Sequence, residues 1–222
     1  MKEKIHYASI NFFEQDVKNM QTKKFTKDDL KEVAALLKEG KVVAFPTDTV
    51  FGLGVIYENE EALIALKESK GRPENKPIPT MVASVEQMKS IAYVNDAASR
   101  LAKAFMPGAF TIILKKKENL PDYITNGFST VGIRMPDDEF VLDLIKECGK
   151  PLLVTSANLS GHETGVYDQQ VLEQLDGRID AIVLGEAKGK SASTIVDMSK
   201  EEPVIIRSGP ISEEEITNVI KG

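Results

Sequence analysis

From Thr26 onward the chain switches between two hydrophobic periods. Leu30, Val33, Ala34 and Leu37 fall at i, i+3, i+4 and i+7, the spacing that gathers apolar side chains on one helix face. This predicts a helix over 28–39, with Thr26 at its N-cap and Gly40 at its stop. Val42-Val43-Ala44-Phe45 is continuously apolar and ends at Pro46, as a buried strand does. Asn59, followed by Glu60 and Glu61, opens a second helix that ends near Lys70. Beyond it, short apolar runs predict strands at 78–83, 110–115, 130–134, 152–155, 181–184, 194–196 and 204–206. Helical patterns lie between them near 85–89, 96–105, 138–147, 168–175 and 213–220, and Ser84 with Gln87 forms a capping-box pattern. Several strands are apolar throughout rather than alternating, which requires both sheet faces to be covered. The pattern is that of one α/β domain with a large, mostly buried sheet over 26–222. Residues 1–25 show no clean period and read as an N-terminal extension.

Composition narrows the class. Hydrophobic residues make up 42% and charged residues 28%, as in ordinary soluble proteins. No apolar run approaches the roughly 18 residues of a membrane span, and residues 1–25 lack a signal-peptide core. Cys148 is the single cysteine, so no internal disulfide or cysteine cage can form, in keeping with a reducing cytoplasm. Its place in an apolar helical pattern fits inert packing better than nucleophilic chemistry. A net charge of −6 and a pI near 5.2 argue against broad binding to nucleic acid.

Familiar motifs are absent. Gly52-Leu53-Gly54 lacks the third glycine of a dinucleotide fingerprint. The stretch from Gly185 to Ser191 has three residues between its glycines where a P-loop has four, and reads as a flexible turn. Neither His6 nor His162 sits near a Ser or Cys in a nucleophile-elbow context, so both read as surface histidines, and metal-ligand spacing is not found.

What remains is a set of polar residues at strand ends. Thr47, Asp48 and Thr49 follow the 42–45 strand, and Ser156 and Asn158 follow the 152–155 strand. Arg134 and Arg207 each close an apolar strand, and Ser193 opens another. Against the acidic background, Lys70, Arg72 and Lys76 crowd one loop stiffened by Pro73 and Pro77. Each feature alone is most often a turn or a solvated charge. Together they are the equipment of an anion site, with arginines able to fork onto carboxylate or phosphate.

The ordered set Phe45-Pro-Thr-Asp-Thr-Val-Phe-Gly52, Lys70-Gly-Arg-Pro73, Pro107-Gly-Ala-Phe-Thr111, Val131-Gly-Ile-Arg-Met-Pro136, Thr155-Ser-Ala-Asn-Leu-Ser-Gly161, Ser193-Thr-Ile-Val-Asp197 and Ile206-Arg-Ser-Gly-Pro210 resembles the YrdC-like threonylcarbamoyl-AMP synthase family. The resemblance runs over about residues 28–210. It implies a twisted, mixed sheet flanked by helices, with a positively charged concave site. It also implies a reaction in which L-threonine, bicarbonate or CO₂, and ATP give threonylcarbamoyl-AMP and pyrophosphate. By the same resemblance the product feeds tRNA modification, which brings tRNA and downstream tRNA-modification enzymes in as partners. Lys70, Arg72, Ser156 and Asn158 match the family's catalytic signature. Arg72, Lys76, Thr130, Asn158 and Arg207 would hold ATP, and Thr49, Arg134, Ser156 and Ser193 would hold threonine. Mg²⁺ would accompany the triphosphate, held mainly by phosphates, with no metal-binding residue of the chain. Met81 stands where many members have histidine, which leaves a same-fold paralogue that binds RNA or nucleotide as the alternative reading.

Overall fold

The computed structural model describes residues 21–71, 76–189 and 191–222. Ten strands among them join in one sheet: β1 (Lys23–Phe25), β2 (Val43–Phe45), β3 (Gly52–Ile56), β4 (Thr80–Met81), β5 (Phe110–Lys115), β6 (Thr130–Arg134), β7 (Leu152–Ser156), β8 (Ala181–Val183), β9 (Thr194–Asp197) and β10 (Val204–Arg207). Seven α-helices accompany them: α1 (Leu30–Lys38), α2 (Glu60–Ser69), α3 (Val85–Ile91), α4 (Asp96–Phe105), α5 (Glu139–Cys148), α6 (Asp168–Leu175) and α7 (Glu213–Lys221). The strand order is β1-β8-β2-β3-β7-β4-β6-β5-β9-β10, with parallel and antiparallel neighbours mixed.

Helix starts follow from side-chain caps. Asn59 accepts from the Ala62 amide at 2.9 Å, and Ser84 accepts from the Gln87 amide at 3.2 Å. Thr26 caps a single 3₁₀ turn, Lys27–Asp29, rather than α1 itself. Each such contact satisfies an amide that the helix cannot.

Two expectations change. Gly52–Ile56 is a central strand, hidden in the sequence by its two glycines. A Cβ at Gly52 would meet Val154 at 2.8 Å, and one at Gly54 would meet the Phe45 ring at 2.8 Å. Glycine is there because the fully buried Phe45 ring lies across that strand. Lys23–Phe25, placed in the extension by the sequence reading, instead pairs in parallel with β8 as an edge strand. Thr22 is tied in as well, its hydroxyl donating to the Ile179 carbonyl at 3.1 Å. Three residues are too few to leave a period.

The two sheet faces are covered unequally. On the first, Leu53, Val55, Phe110, Ile112, Ile133, Leu153 and Val196 pack beneath α2, α3, α4, α6 and α7. On the second, Val43, Phe45, Ile56, Leu152 and Val154 pack beneath α1 and α5 only. Those two helices serve the β8-β2-β3-β7 half. The second face of β6, β5 and β9 has no helix over it in either core cluster, whereas Met81 of β4 joins the second cluster. A strand face without apolar cover must carry groups that tolerate water or a ligand, and Thr111, Thr130 and Arg134 lie there.

Candidate active site

A cavity of about 180 Å³ opens on that uncovered half. Its floor is one cross-strand row. Met81 pairs with Arg134, Arg134 with Thr111, Thr111 with Ile195, and Ile195 with Arg207. Directly opposed residues present their side chains to one face, so two guanidiniums, a hydroxyl and a thioether share a surface. Arg207 joins the row through a β-bulge: Ile205 pairs with Val196 and Arg207 with Ile195, leaving Ile206 as the extra residue. Met81, Thr111, Arg134, Ser193 and Arg207 all line the cavity, with Thr49, Ser156, Thr155 and Thr164 completing its polar rim.

The β2–β3 connection curls over the row and fixes Arg134. The Thr47 hydroxyl donates to the Val50 carbonyl at 2.8 Å and accepts from the Thr49 amide at 3.1 Å. With that proton committed, the Thr49 hydroxyl gives its own to Thr47 across 3.1 Å and accepts from Arg134 Nη1 at 2.8 Å. Arg134 Nη2 donates to Asp48 Oδ1 at 2.6 Å, and Nε donates to the Gly108 carbonyl at 3.3 Å. Both partners of the ion pair are buried, with side chains 7% and 8% exposed.

Arg207 is held from the other side. Its Nε donates to the Ser193 carbonyl at 3.0 Å and its Nη2 to the Ser193 hydroxyl at 3.1 Å. Ser193 and Thr111 hydroxyls share a bond of 2.8 Å. Partial burial, and then the Arg134 charge, pull the Arg207 guanidinium below its usual pKa. Two cations facing one cavity favour an anionic occupant.

The Ser156–Asn158 turn forms the third wall and is clamped from behind. Lys70 is 4% exposed, and its Nζ donates to the carbonyls of Ser156 at 2.7 Å and Asn158 at 2.8 Å. The Asn158 amide group donates to the carbonyls of Leu159 at 2.9 Å and His162 at 2.8 Å, while its oxygen accepts from the Ser156 hydroxyl at 2.5 Å. Lys70 and Asn158 therefore shape the turn rather than line the cavity. Lys76 is exposed and is not among the residues lining the cavity. Thr130 shares the Arg134 face by strand parity, two pleats along β6, on the open strip that continues from the cavity. Arg72 lies outside the described residues.

The turn after β8 is docked, not the free flexible turn the sequence reading expected. Lys188 donates its amide to the Thr47 carbonyl at 3.0 Å. A Cβ on Gly189 would come within 2.8 Å of the Asp48 carbonyl and 2.7 Å of Thr49 Cα. Thr111, part of a family motif, and Thr164 were given no role of their own from the sequence, and Asp48 was named there only among the strand-end polar residues. Thr111 did leave one trace, a hydroxyl inside the buried run of β5. His162 is exposed, consistent with a surface role. The Cys148 thiol is buried and its pKa pushed up to about 11 by desolvation, as an inert core cysteine requires.

The Sua5/YciO/YrdC family model, described as telomere recombination, matches residues 35–209. Threonylcarbamoyl-AMP synthase of Bacillus subtilis is 42% identical over 85% of this chain, and that of Pyrococcus abyssi is 40% identical over 84%. The chain spans about half of each of these relatives, 56% of their length. The solved structure of P. abyssi Sua5 complexed with L-threonine superposes with a TM-score of 0.85 at 37% identity, covering 90% of this chain and 60% of that one. With its motifs in order, its two arginines in one row and this match over most of its length, the chain belongs to the Sua5/YciO/YrdC family.

Proposed function

We propose that this chain makes L-threonylcarbamoyl-adenylate and pyrophosphate from L-threonine, bicarbonate or CO₂, and ATP. The observation that carries the proposal is the cross-strand row: two guanidiniums and two hydroxyls converge on a cavity of about 180 Å³. The relative seen with L-threonine has the same fold. Arg134 takes the amino acid's carboxylate, and the hydroxyls of Thr49, Ser156 and Ser193 orient its polar atoms. Arg207 faces the phosphates, and the nucleotide follows the uncovered strip toward Thr130. Arg72 and Lys76 supply further cations from their loop, and Asn158 acts through the turn it stabilises.

The chemistry requires no protein nucleophile. The threonine amine attacks the carbon of CO₂ and loses a proton to give a carbamate. A carbamate oxygen then attacks the α-phosphorus, and the bond to the leaving pyrophosphate breaks. Starting from bicarbonate, one water is released. The protein contributes orientation and cations placed where phosphate charge develops. Among the described residues no three His, Cys, Asp or Glu side chains gather as a metal site. Magnesium enters with ATP, held mainly by phosphate oxygens and water. The product is a carbamoyl donor for tRNA modification, with tRNA-modifying enzymes as its consumers. No helix among the described residues is long and apolar enough to cross a membrane.

The test is incubation of the protein with ATP, bicarbonate and labelled threonine. Threonine-dependent pyrophosphate release and a labelled adenylate are expected. Nucleotide binding without either product would replace this reading with that of a nucleotide- or RNA-binding paralogue, for which Met81 in the cavity wall is the distinguishing residue.

A further inference from the structure

We infer that Asp48 is a positioning residue that sets both the aim and the net charge of the amino-acid site through Arg134. The inference rests on the proposed reading of the cavity as the threonine site. Asp48 does not line the cavity; it touches the guanidinium that does.

The aim follows from a donor count. A guanidinium has five N–H groups. Three are committed, to Asp48, Thr49 and the Gly108 carbonyl. One N–H on each terminal nitrogen remains for a carboxylate. Two of these anchors are themselves fixed: Thr49 by the Thr47 hydroxyl, and the Asp48 backbone by the close approach of Gly189, where an added Cβ would meet the Asp48 carbonyl at 2.8 Å. Arg134 thus arrives oriented instead of being ordered by the substrate, which spares the ordering cost of binding.

The charge follows from the company of Arg134. Arg207 lines the same cavity, where burial and then the Arg134 charge depress its pKa. Guanidiniums do not shed their protons in proteins, so the pair would present two positive charges to a cavity suited to one carboxylate. Asp48 is the carboxylate in salt-bridge contact with either arginine among the described residues. It lowers by one the charge that the two arginines present to the cavity, and so weakens the hold on a free small polyanion.

Aim and charge give opposite signatures, which a merely structural role cannot. The experiment is calorimetric titration of the full chain with L-threonine and, separately, with inorganic pyrophosphate, alongside steady-state kinetics. In Asp48→Asn, threonine affinity should fall about tenfold, the worth of one charge-assisted anchor, with KM rising while kcat changes little. Pyrophosphate affinity should rise about fivefold, as one neutralised charge near a partly wet site allows. Asp48→Glu keeps the charge and displaces it by one methylene. It should weaken threonine while leaving pyrophosphate at the wild-type value, and it carries the test if Asp48→Asn does not fold. Unchanged binding of both ligands, or parallel weakening of both in Asp48→Asn, overturns the inference. So does wild-type threonine affinity in Asp48→Glu. If the wild-type chain binds no threonine, the functional proposal fails on its own, and the pyrophosphate titration still decides the charge role of Asp48.

Discussion

Replacing Lys70 with methionine separates two roles that a buried lysine beside an anion site can have. If its ammonium served only the cavity, removing it from the unliganded protein would relieve a buried charge and leave stability unchanged or raised. The structure assigns it otherwise: Nζ donates to the Ser156 and Asn158 carbonyls at 2.7 and 2.8 Å and approaches the Asn158 side-chain oxygen at 3.4 Å. Hydrogen bonds to a charged group contribute about 1.5–3 kcal/mol each, and a buried acceptor left bare costs about 1–3 kcal/mol. The Ser156 carbonyl keeps the Asn158 amide as a partner at 3.0 Å, so the exposed deficit falls mainly on Asn158. Two lost bonds, offset in part by the relieved desolvation of the ammonium, leave a destabilisation of about 3 kcal/mol. For a domain of this size that lowers Tm by roughly 6–12 °C. Urea denaturation followed by circular dichroism checks it, and turnover should collapse with the loosened turn. A melting point at or above wild type would refute the clamp and return Lys70 to the cavity.

Two further outcomes follow from geometry already given. Gly189→Ala should destabilise by about 1–3 kcal/mol and weaken threonine binding, because the new Cβ meets Asp48 and Thr49 backbone atoms at 2.7–2.8 Å; a thermal melt with calorimetry measures both. Cys148 ionises near 9 when exposed and at about 11 in the fold. Its folded pKa lies above its unfolded one, so the unfolded chain loses the proton first, and stability should fall as pH climbs from about 9 to about 11. Denaturation midpoints across that range should show a shallower decline in Cys148→Ala, and an equal decline would assign the slope to other groups.

The sequence disclosed what depends on local pattern. The face of α1 through Val33, Ala34 and Leu37 was readable because helix period and burial coincide. Arg134, Arg207, Thr49, Ser156 and Ser193 stood out because each interrupts or ends an apolar run, and these five do line one cavity. What stayed hidden depends on register and on distant partners. The alignment of Met81, Arg134, Thr111 and Arg207 is a property of four strand pairings, none of which is written in any one segment. The inward turn of Lys70 toward a loop 86 residues away has no local signature. Strand β3 was missed for a physical reason: its glycines respond to the Phe45 ring on a neighbouring strand, not to the strand's own preference.

The extra residue in β10 has a consequence for which changes this protein can tolerate. In a regular pairing Ile206 would stand opposite Ile195, and Arg207 would be carried to the opposite face, the apolar layer that holds Val196 and Ile216. The side chain of Ile206 is 54% exposed and does no packing work that would fix its identity. Its exclusion from the pairing, not its chemistry, decides on which side of the sheet the guanidinium emerges. Along this edge strand, then, the constraint is one of pairing: substitutions at Ile206 cost little, and losing it would leave Arg207 next to Ile205 and still opposite Ile195, whereas drawing Ile206 into the ladder would turn the guanidinium to the other face and leave the cavity with a single cation.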